Sequence, residues 1–212
     1  MSAGRPGPFG WIADRPYLLL SLTAFFWGSN VVVGRAVAGH VPPVALAQMR
    51  WIVAFLVLLP IAWPHLRRDA AAIARGWRIL AVLSFCGIAV YNTLGYIALQ
   101  EISAINGLLL QSVMPLMIGF WSLVLFGDRL TLFQATGILV SLAGVVVIVT
   151  RGDVSVVASL RFARGDVVML LAIVSYALYS ALLKRRPPLH PLSLVTVTVG
   201  TGAAMLVPAT LT

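Results

Sequence analysis

The chain is a succession of apolar runs separated by short polar gaps. The runs fall at 17–37, 44–63, 77–99, 102–126, 130–150, 167–183 and 192–211. A helix rises 1.5 Å per residue, so about 20 apolar residues cross a hydrocarbon core of roughly 30 Å. The pattern therefore predicts seven membrane-spanning helices and an all-α polytopic membrane protein. The first run carries a single charge, Arg35, and is interrupted by Trp27-Gly28-Ser29-Asn30, small and polar residues that a simple anchor does not need. Thr23, Trp27, Asn30 and Gly34 follow the 3-4 spacing of one helix face, which is expected to look inward.

Composition agrees with this pattern. The chain is 60% hydrophobic, has a mean hydropathy of +1.00 and is only 10% charged; a soluble domain carries about 25% charged residues. A net charge of +9 would suggest nucleic acid as a partner of a soluble chain. Here the basic residues sit in gaps between spans, where their counterpart is an anionic leaflet, and the expected partners are the lipid bilayer and a small-molecule substrate. With the amino terminus inside, the inner segments hold Arg5, Arg15, Arg67, Arg68, Arg75, Arg78, Arg129, Lys184, Arg185 and Arg186, and the outer ones Arg35, Arg151, Arg161 and Arg164. That bias predicts a cytoplasmic tail at 1–16 and an extracytoplasmic linker at 151–165. Arg15 before an apolar run, with Ala36-Val37-Ala38 after it, also fits a secretory signal, but the run is too long for one and contains Asn30.

The chain also repeats itself. A shift of 149 residues lays Leu22–Pro42 over Leu171–Pro191, pairing Trp27 with Tyr176, Asn30 with Tyr179, Arg35 with Lys184 and Pro42 with Pro191. The number of spans between the copies places the second in the opposite sense. Inverted repeats of this kind characterise secondary transporters, whose substrate is held where the repeats meet.

The run WGSNVVVGRAVAGHVPPVALAQMRWIVAFLVLLP resembles the first two helices of EamA-type members of the drug/metabolite transporter superfamily. LLLQSVMPLMIGFWSLVLFGDRLTLFQATGILVSLAGVVVIV is similar to that family's helices four and five, with Pro115 in the fourth and an acidic-Arg-Leu turn after it. The resemblance implies two five-helix inverted repeats moving small metabolites, amino acids or drugs. On this reading 17–150 is a complete first repeat, and 166–212 a partial second one of about two helices, so that the pattern is truncated. The alternative is a non-transporting membrane fragment, or a partner subunit of a related transporter.

Polar side chains within spans are costly, which makes each a candidate for function or for bridging helices. Asn30 could bond a substrate or a neighbouring carbonyl, and Trp27 could stack on substrate or simply fill space. Tyr176 and Tyr179 are their counterparts in the second copy. Adjacent Tyr91 and Asn92 point about 100° apart, so at most one is expected to face a cavity squarely. Asn106 and Gln111, five residues apart, do not share a narrow face either. Pro115 frees the carbonyl of Gln111, predicting a kink or a gating bend. Gln134, Gly137, Ser141 and Gly144 form a small-residue seam suited to close helix packing, which would also permit a homodimer; Gly87 and Gly95 around Tyr91 suit the seating of a neighbouring backbone.

Arg50 lies roughly 9 Å inside the second span at 1.5 Å per residue. It either snorkels to the surface or offers a planar guanidinium to a carboxylate or phosphate, with Arg35 near the same end. All six acidic residues, Asp14, Asp69, Glu101, Asp128, Asp153 and Asp166, are expected in tails, turns or linkers. The spans therefore lack the carboxylate with which proton-coupled exporters trade a proton for a cationic drug. Asp128 is expected to pair with Arg129, and His40, His65 and His190 to be solvated loop residues without metal-ligand spacing. Cys86, the single cysteine, reads as a small buried hydrophobe. There is no GxSxG, HExxH or CxxC motif, so neither an enzyme nor a bound cofactor or metal is expected. The expected function is a permease, exporter or exchanger of small metabolites such as amino acids or organic anions, in the cell (inner) membrane.

Overall fold

The computed structural model describes residues 15–150 and 163–210, so most of the expected tail and most of the linker lie outside the described residues. The described residues form helices and connecting turns, with no strand among them. In chain order the helices are α1 (Pro16–Ala36), α2 (Pro43–Arg75), α3 (Trp77–Glu101), α4 (Ala104–Phe126), α5 (Leu132–Thr150), α6 (Arg164–Leu182) and α7 (Pro191–Thr210). The helices α1, α2, α3, α4, α6 and α7 are long and apolar enough to cross a membrane, and α5 has a described apolar stretch at Leu132–Gly144. The chain is a multi-pass membrane protein. Large side chains such as Phe25, Phe26, Val53, Leu56, Val57 and Phe133 are exposed on its flanks, as a lipid-facing surface requires.

Several boundaries depart from the hydropathy pattern. The apolar part of α2 ends near residue 63, yet the helix continues for three further turns through Leu66, Arg67 and Arg68 to Arg75, with Pro60 and Pro64 inside it. The extension is polar on one side and helix-forming in sequence (Ala70-Ala71-Ala72), so only its hydropathy ends there. Consequently His65 and Asp69 belong to a helix and not to a loop. The fourth helix is interrupted as Pro115 predicts. Its halves Ala104–Gln111 and Met114–Phe126 meet at a tight turn, where Ser112 and Val113 donate to the carbonyls of Leu109 and Leu110.

Within α3, Phe85–Val90 winds as a π-helix. Such a wide turn leaves carbonyls poorly satisfied, and here side chains complete them. Ser175 on α6 donates to the Cys86 carbonyl at 2.9 Å, and the Asn92 amide reaches the Gly87 and Ile88 carbonyls at 3.4 and 3.2 Å. Two glycines make this packing possible. A Cβ on Gly87 would lie 2.5 Å from the Tyr179 ring, and one on Gly202 of α7 would lie 2.4 Å from Ile88. Gly87 thus seats a side chain and not the backbone that its spacing suggested, while a Cβ on Gly95 would meet nothing within 4 Å.

The core joins α1, α2, α3, α4 and α6 through Val31, Ala47, Ala89, Ala98, Leu99, Met114, Met169 and Ile173. Small residues at these crossings bring helix axes close, which is the main source of van der Waals stabilisation where no hydrophobic effect acts between lipid-immersed helices. The most extensive helix pairs are α2 with α7 and α3 with α6. The small-residue seam of α5 behaves otherwise. Cβ atoms on Gly137 and Gly144 would meet nothing within 4 Å, and Gln134, Gly137 and Ser141 line an open groove of about 340 Å³ with Ser112, Pro115 and Leu130. The close packing expected of this seam is therefore not formed among the described residues.

Charges at the helix ends also re-sort. Asp128 pairs with Lys184 across 56 residues and not with its neighbour Arg129, because Gly127, at φ 71°, turns the chain after α4 toward the end of α6. Glu101 and Arg164 stand 3.9 Å apart, both well exposed, an ion pair worth under about 1 kcal/mol.

Candidate functional site

Most of the candidate pathway residues singled out along the chain converge on a cluster between α1, α2, α3, α4 and α6. Its centre is Arg50. The side chain does not run outward along lipid; it turns into the bundle, where one guanidinium nitrogen donates to Asn30 Oδ1 on α1 and the other to Asn92 Oδ1 on α3 at 2.9 Å. The guanidinium carbon lies 4.2 Å from the Trp51 ring centroid, a cation-π contact on its own helix. Tyr96 donates its hydroxyl to Asn30 Oδ1 at 2.7 Å. Gly34, buried on α1, gives the Tyr96 ring room, since a Cβ there would fall 2.8 Å from it.

A second group adjoins the first. Gln111 Oε1 accepts from Trp27 Nε1 at 2.9 Å and from the Tyr91 hydroxyl at 3.3 Å. Tyr176 from α6 inserts its ring beside both, with centroids 5.5 Å from Trp27 and 4.6 Å from Tyr91, and Tyr179 follows at 5.3 Å. The α1 face carries Trp27, Asn30 and Gly34 inward, whereas Thr23 is exposed and folds back onto the Leu19 carbonyl.

Tyr91 and Asn92 both take part, against the expectation that only one could. The cluster wraps around α3, with Gln111 on one flank and Arg50 on the other, so side chains about 100° apart each meet a partner. Asn106 does not join the cluster. It lies exposed on the first turn of α4, where its backbone N–H is capped by the Ser103 hydroxyl at 3.1 Å. Arg35 does not join Arg50 either; it donates to the Leu99 and Gln100 carbonyls at 2.7 and 2.9 Å, neutralising the carboxyl-terminal end of α3. Tyr96 was not singled out in the sequence, although it stands four residues beyond Asn92 on the same helical face.

Arg50 is the one formal charge in this cluster, and both oxygens that hold it belong to neutral amides. Hydrogen bonds to a charged group contribute about 1.5–3 kcal/mol each, but amide dipoles do not neutralise the charge. Among the described residues no carboxylate lies within the apolar part of a span: Glu101 and Asp166 stand at helix ends, Asp128 in a turn and Asp69 beyond the apolar part of α2. Asn30, Tyr91, Asn92, Tyr96 and Gln111 enclose a cavity of only about 20 Å³, room for roughly one water molecule. In this conformation the Arg50, Trp27, Tyr91 and Tyr96 donors are taken up by the amide oxygens of Asn30, Asn92 and Gln111, whereas Trp51 Nε1 is buried without a partner. No group of three or more His, Cys, Asp or Glu side chains that could hold a metal occurs among the described residues.

The comparisons with known proteins agree with this architecture. The chain is 27% identical over 199 residues to the uncharacterized transporter YyaM of Bacillus subtilis (strain 168), covering 90% of this chain and 63% of that protein. It is 27% identical over 170 residues to an uncharacterized transporter of Archaeoglobus fulgidus, covering 80% and 57%. YetK of Bacillus subtilis (strain 168), also an uncharacterized transporter, is 24% identical over 172 residues, covering 81% and 52%. The chain thus spans between 52% and 63% of the length of these relatives. No solved structure matches it significantly. The profile of the EamA-like transporter family matches residues 14–150, which hold every helix from α1 to α5 and most of the polar cluster, and the chain belongs to that family.

Proposed function

We propose that this chain carries the substrate path of a small-metabolite transporter working by alternating access, and that its cargo is anionic or zwitterionic, such as an organic anion or an amino acid. The observation that carries this reading is the charge balance at Arg50. A guanidinium held only by amide oxygens exchanges them readily for a carboxylate, which offers the same two acceptors with a compensating charge. Asn30, Asn92 and Gln111 would then bond the remaining polar atoms of the cargo, and Trp27, Tyr91, Tyr176 and Tyr179 would enclose its apolar part. Separation of α6 from α1 and α3 would open the site, since Tyr176 stands between them. The inverted relation of 17–150 and 166–212, the amino terminus in the cytoplasm and the place in a cell membrane belong to the same proposal. Expulsion of cationic drugs is the less favoured alternative, because the described spans hold no carboxylate to meet a cation.

The test is transport by proteoliposomes containing the full chain, with a panel of labelled amino acids, organic anions, sugars and organic cations. Saturable movement of a carboxylate-bearing class, lost in Arg50→Ala, is expected. Movement of cations alone, or carboxylate transport indifferent to Arg50→Ala and Arg50→Lys, contradicts the reading.

A further inference from the structure

About 22 Å along α2 from Arg50, at 1.5 Å per residue, a second group of titratable side chains joins α2 to the start of α7. His65 on α2 and His190, the residue before α7, stack with ring centroids 3.6 Å apart and planes 7° from parallel. Sequence placed both in separate solvated loops, and neither belongs to the Arg50 cluster. Their parallel planes direct the ring nitrogens side by side and not toward a common point, so the pair is not a metal site.

His190 is the N-cap of α7. Its carbonyl accepts from Leu194 N–H at 3.0 Å and its Nδ1 accepts from Leu192 N–H at 3.3 Å. That second bond requires Nδ1 to be without a proton, which fixes the ring as the neutral tautomer carrying hydrogen on Nε2. A proton added at Nδ1 removes the cap, places a cation at the positive end of a helix, and charges one ring of a face-to-face stack.

One neighbouring charge opposes this release. Asp69, one turn beyond His65, accepts from His190 N–H at 2.9 Å. The nearby Ser193 hydroxyl and then this N–H hold its carboxyl below the usual carboxylate range, and because its charge attracts a proton on either ring it is the one opposing influence. The cations of the surrounding elements are engaged elsewhere or point outward. Arg67 lies over Trp63, Arg78 over Trp77 and Arg185 over Phe126; Lys184 pairs with Asp128, Arg75 bonds the Ala71 carbonyl, Arg186 lies near the Tyr179 hydroxyl, and Arg68 is exposed.

We propose that the stacked His65–His190 pair is a protonation-sensitive latch, which ties α2 to the start of α7 when both rings are neutral and releases them on acidification. The sign follows from the tautomer: the latch is complete above the histidine range and is lost as pH falls through it. It acts on the α2–α7 pair, one of the two most extensive helix contacts among the described residues, at the end remote from Arg50.

Spin labels at exposed positions 70 and 188 (Ala70→Cys, Pro188→Cys) in a Cys86→Ala background report the separation of α2 from the α6–α7 connection in liposomes. Between about pH 7.5 and pH 5.5 the distance distribution should broaden and lengthen reversibly. In His65→Phe/His190→Asn, which keeps a ring on α2 and a capping side-chain oxygen before α7 but cannot charge, it should be the same at both pH values. A distribution unchanged by pH in the parent, or the same change in the double variant, overturns the proposal. Neither result depends on knowing the cargo, so failure here is distinguishable from failure of the Arg50 reading.

Discussion

Replacing Arg50 by Gln separates the charge of the cluster from its hydrogen bonding. The shorter amide can donate to one of the two oxygens that Arg50 now serves. Asn30 Oδ1 keeps the Tyr96 hydroxyl as a donor, whereas Asn92, buried on α3, loses the guanidinium and keeps only its own donations to Gly87 and Ile88. An orphaned buried acceptor costs about 1–3 kcal/mol. Removing a desolvated cation that has no counter-ion offsets part of this, so the net loss of stability should stay under about 2 kcal/mol. Carboxylate affinity should suffer more. Loss of one or two charge-assisted bonds, at about 1.5–3 kcal/mol each, is a decrease of at least roughly tenfold. Trp51 beside Arg50 and Trp27 beside Gln111 supply an intrinsic fluorescence signal for titration with carboxylates. Arg50→Lys should fall between, since it keeps the charge without the planar fork. Undiminished carboxylate affinity in Arg50→Gln, with the fold intact, refutes the reasoning.

Other outcomes follow from the packing. Gly202→Ala should lower the thermal stability of the detergent-solubilised protein by about 1–3 kcal/mol, the usual cost of overpacking, because its Cβ would press on Ile88 and on the Ser84 carbonyl; an unchanged melting temperature would contradict the tight α3–α7 contact. Gln111→Leu strands both Trp27 Nε1 and the Tyr91 hydroxyl, so it should destabilise by about 1–3 kcal/mol per orphaned donor, measured by chemical denaturation. Pro115→Ala restores an N–H able to bond the Gln111 carbonyl, and amide exchange over residues 112–116 should slow; unchanged exchange would mean that the interruption of α4 has another cause.

The spans were legible because hydropathy is set by the bilayer, and a run of apolar residues has few other uses. The polar extension of α2 was not, since hydropathy stops where the membrane stops while helix propensity continues through Ala70-Ala71-Ala72. Most of the polar cluster could be named because an amide or guanidinium inside an apolar run is conspicuous. Which of these residues meet depends on helix packing, and that is why Asn106 was grouped with them although it lies exposed, and why Tyr96, chemically unremarked among apolar neighbours, was overlooked. The π-turn at Phe85–Val90 has no signature in its composition; its carbonyls are completed in part from another helix, by Ser175 of α6, and in part locally by Asn92. The histidine stack was hidden for a related reason, since 125 positions separate His65 from His190 and only the α2–α7 contact brings them together.

The central claim is that the cluster around Arg50 lines the path of an anionic cargo. Its most direct test is thiol labelling of Gln111→Cys in a Cys86→Ala background by a membrane-impermeant reagent applied from each side of sealed vesicles. The account predicts that position 111 reacts and that carboxylates, but not organic cations, protect it. A residue 111 inert from both sides, while the exposed control Asn106→Cys reacts, or protection by cations alone, would contradict it.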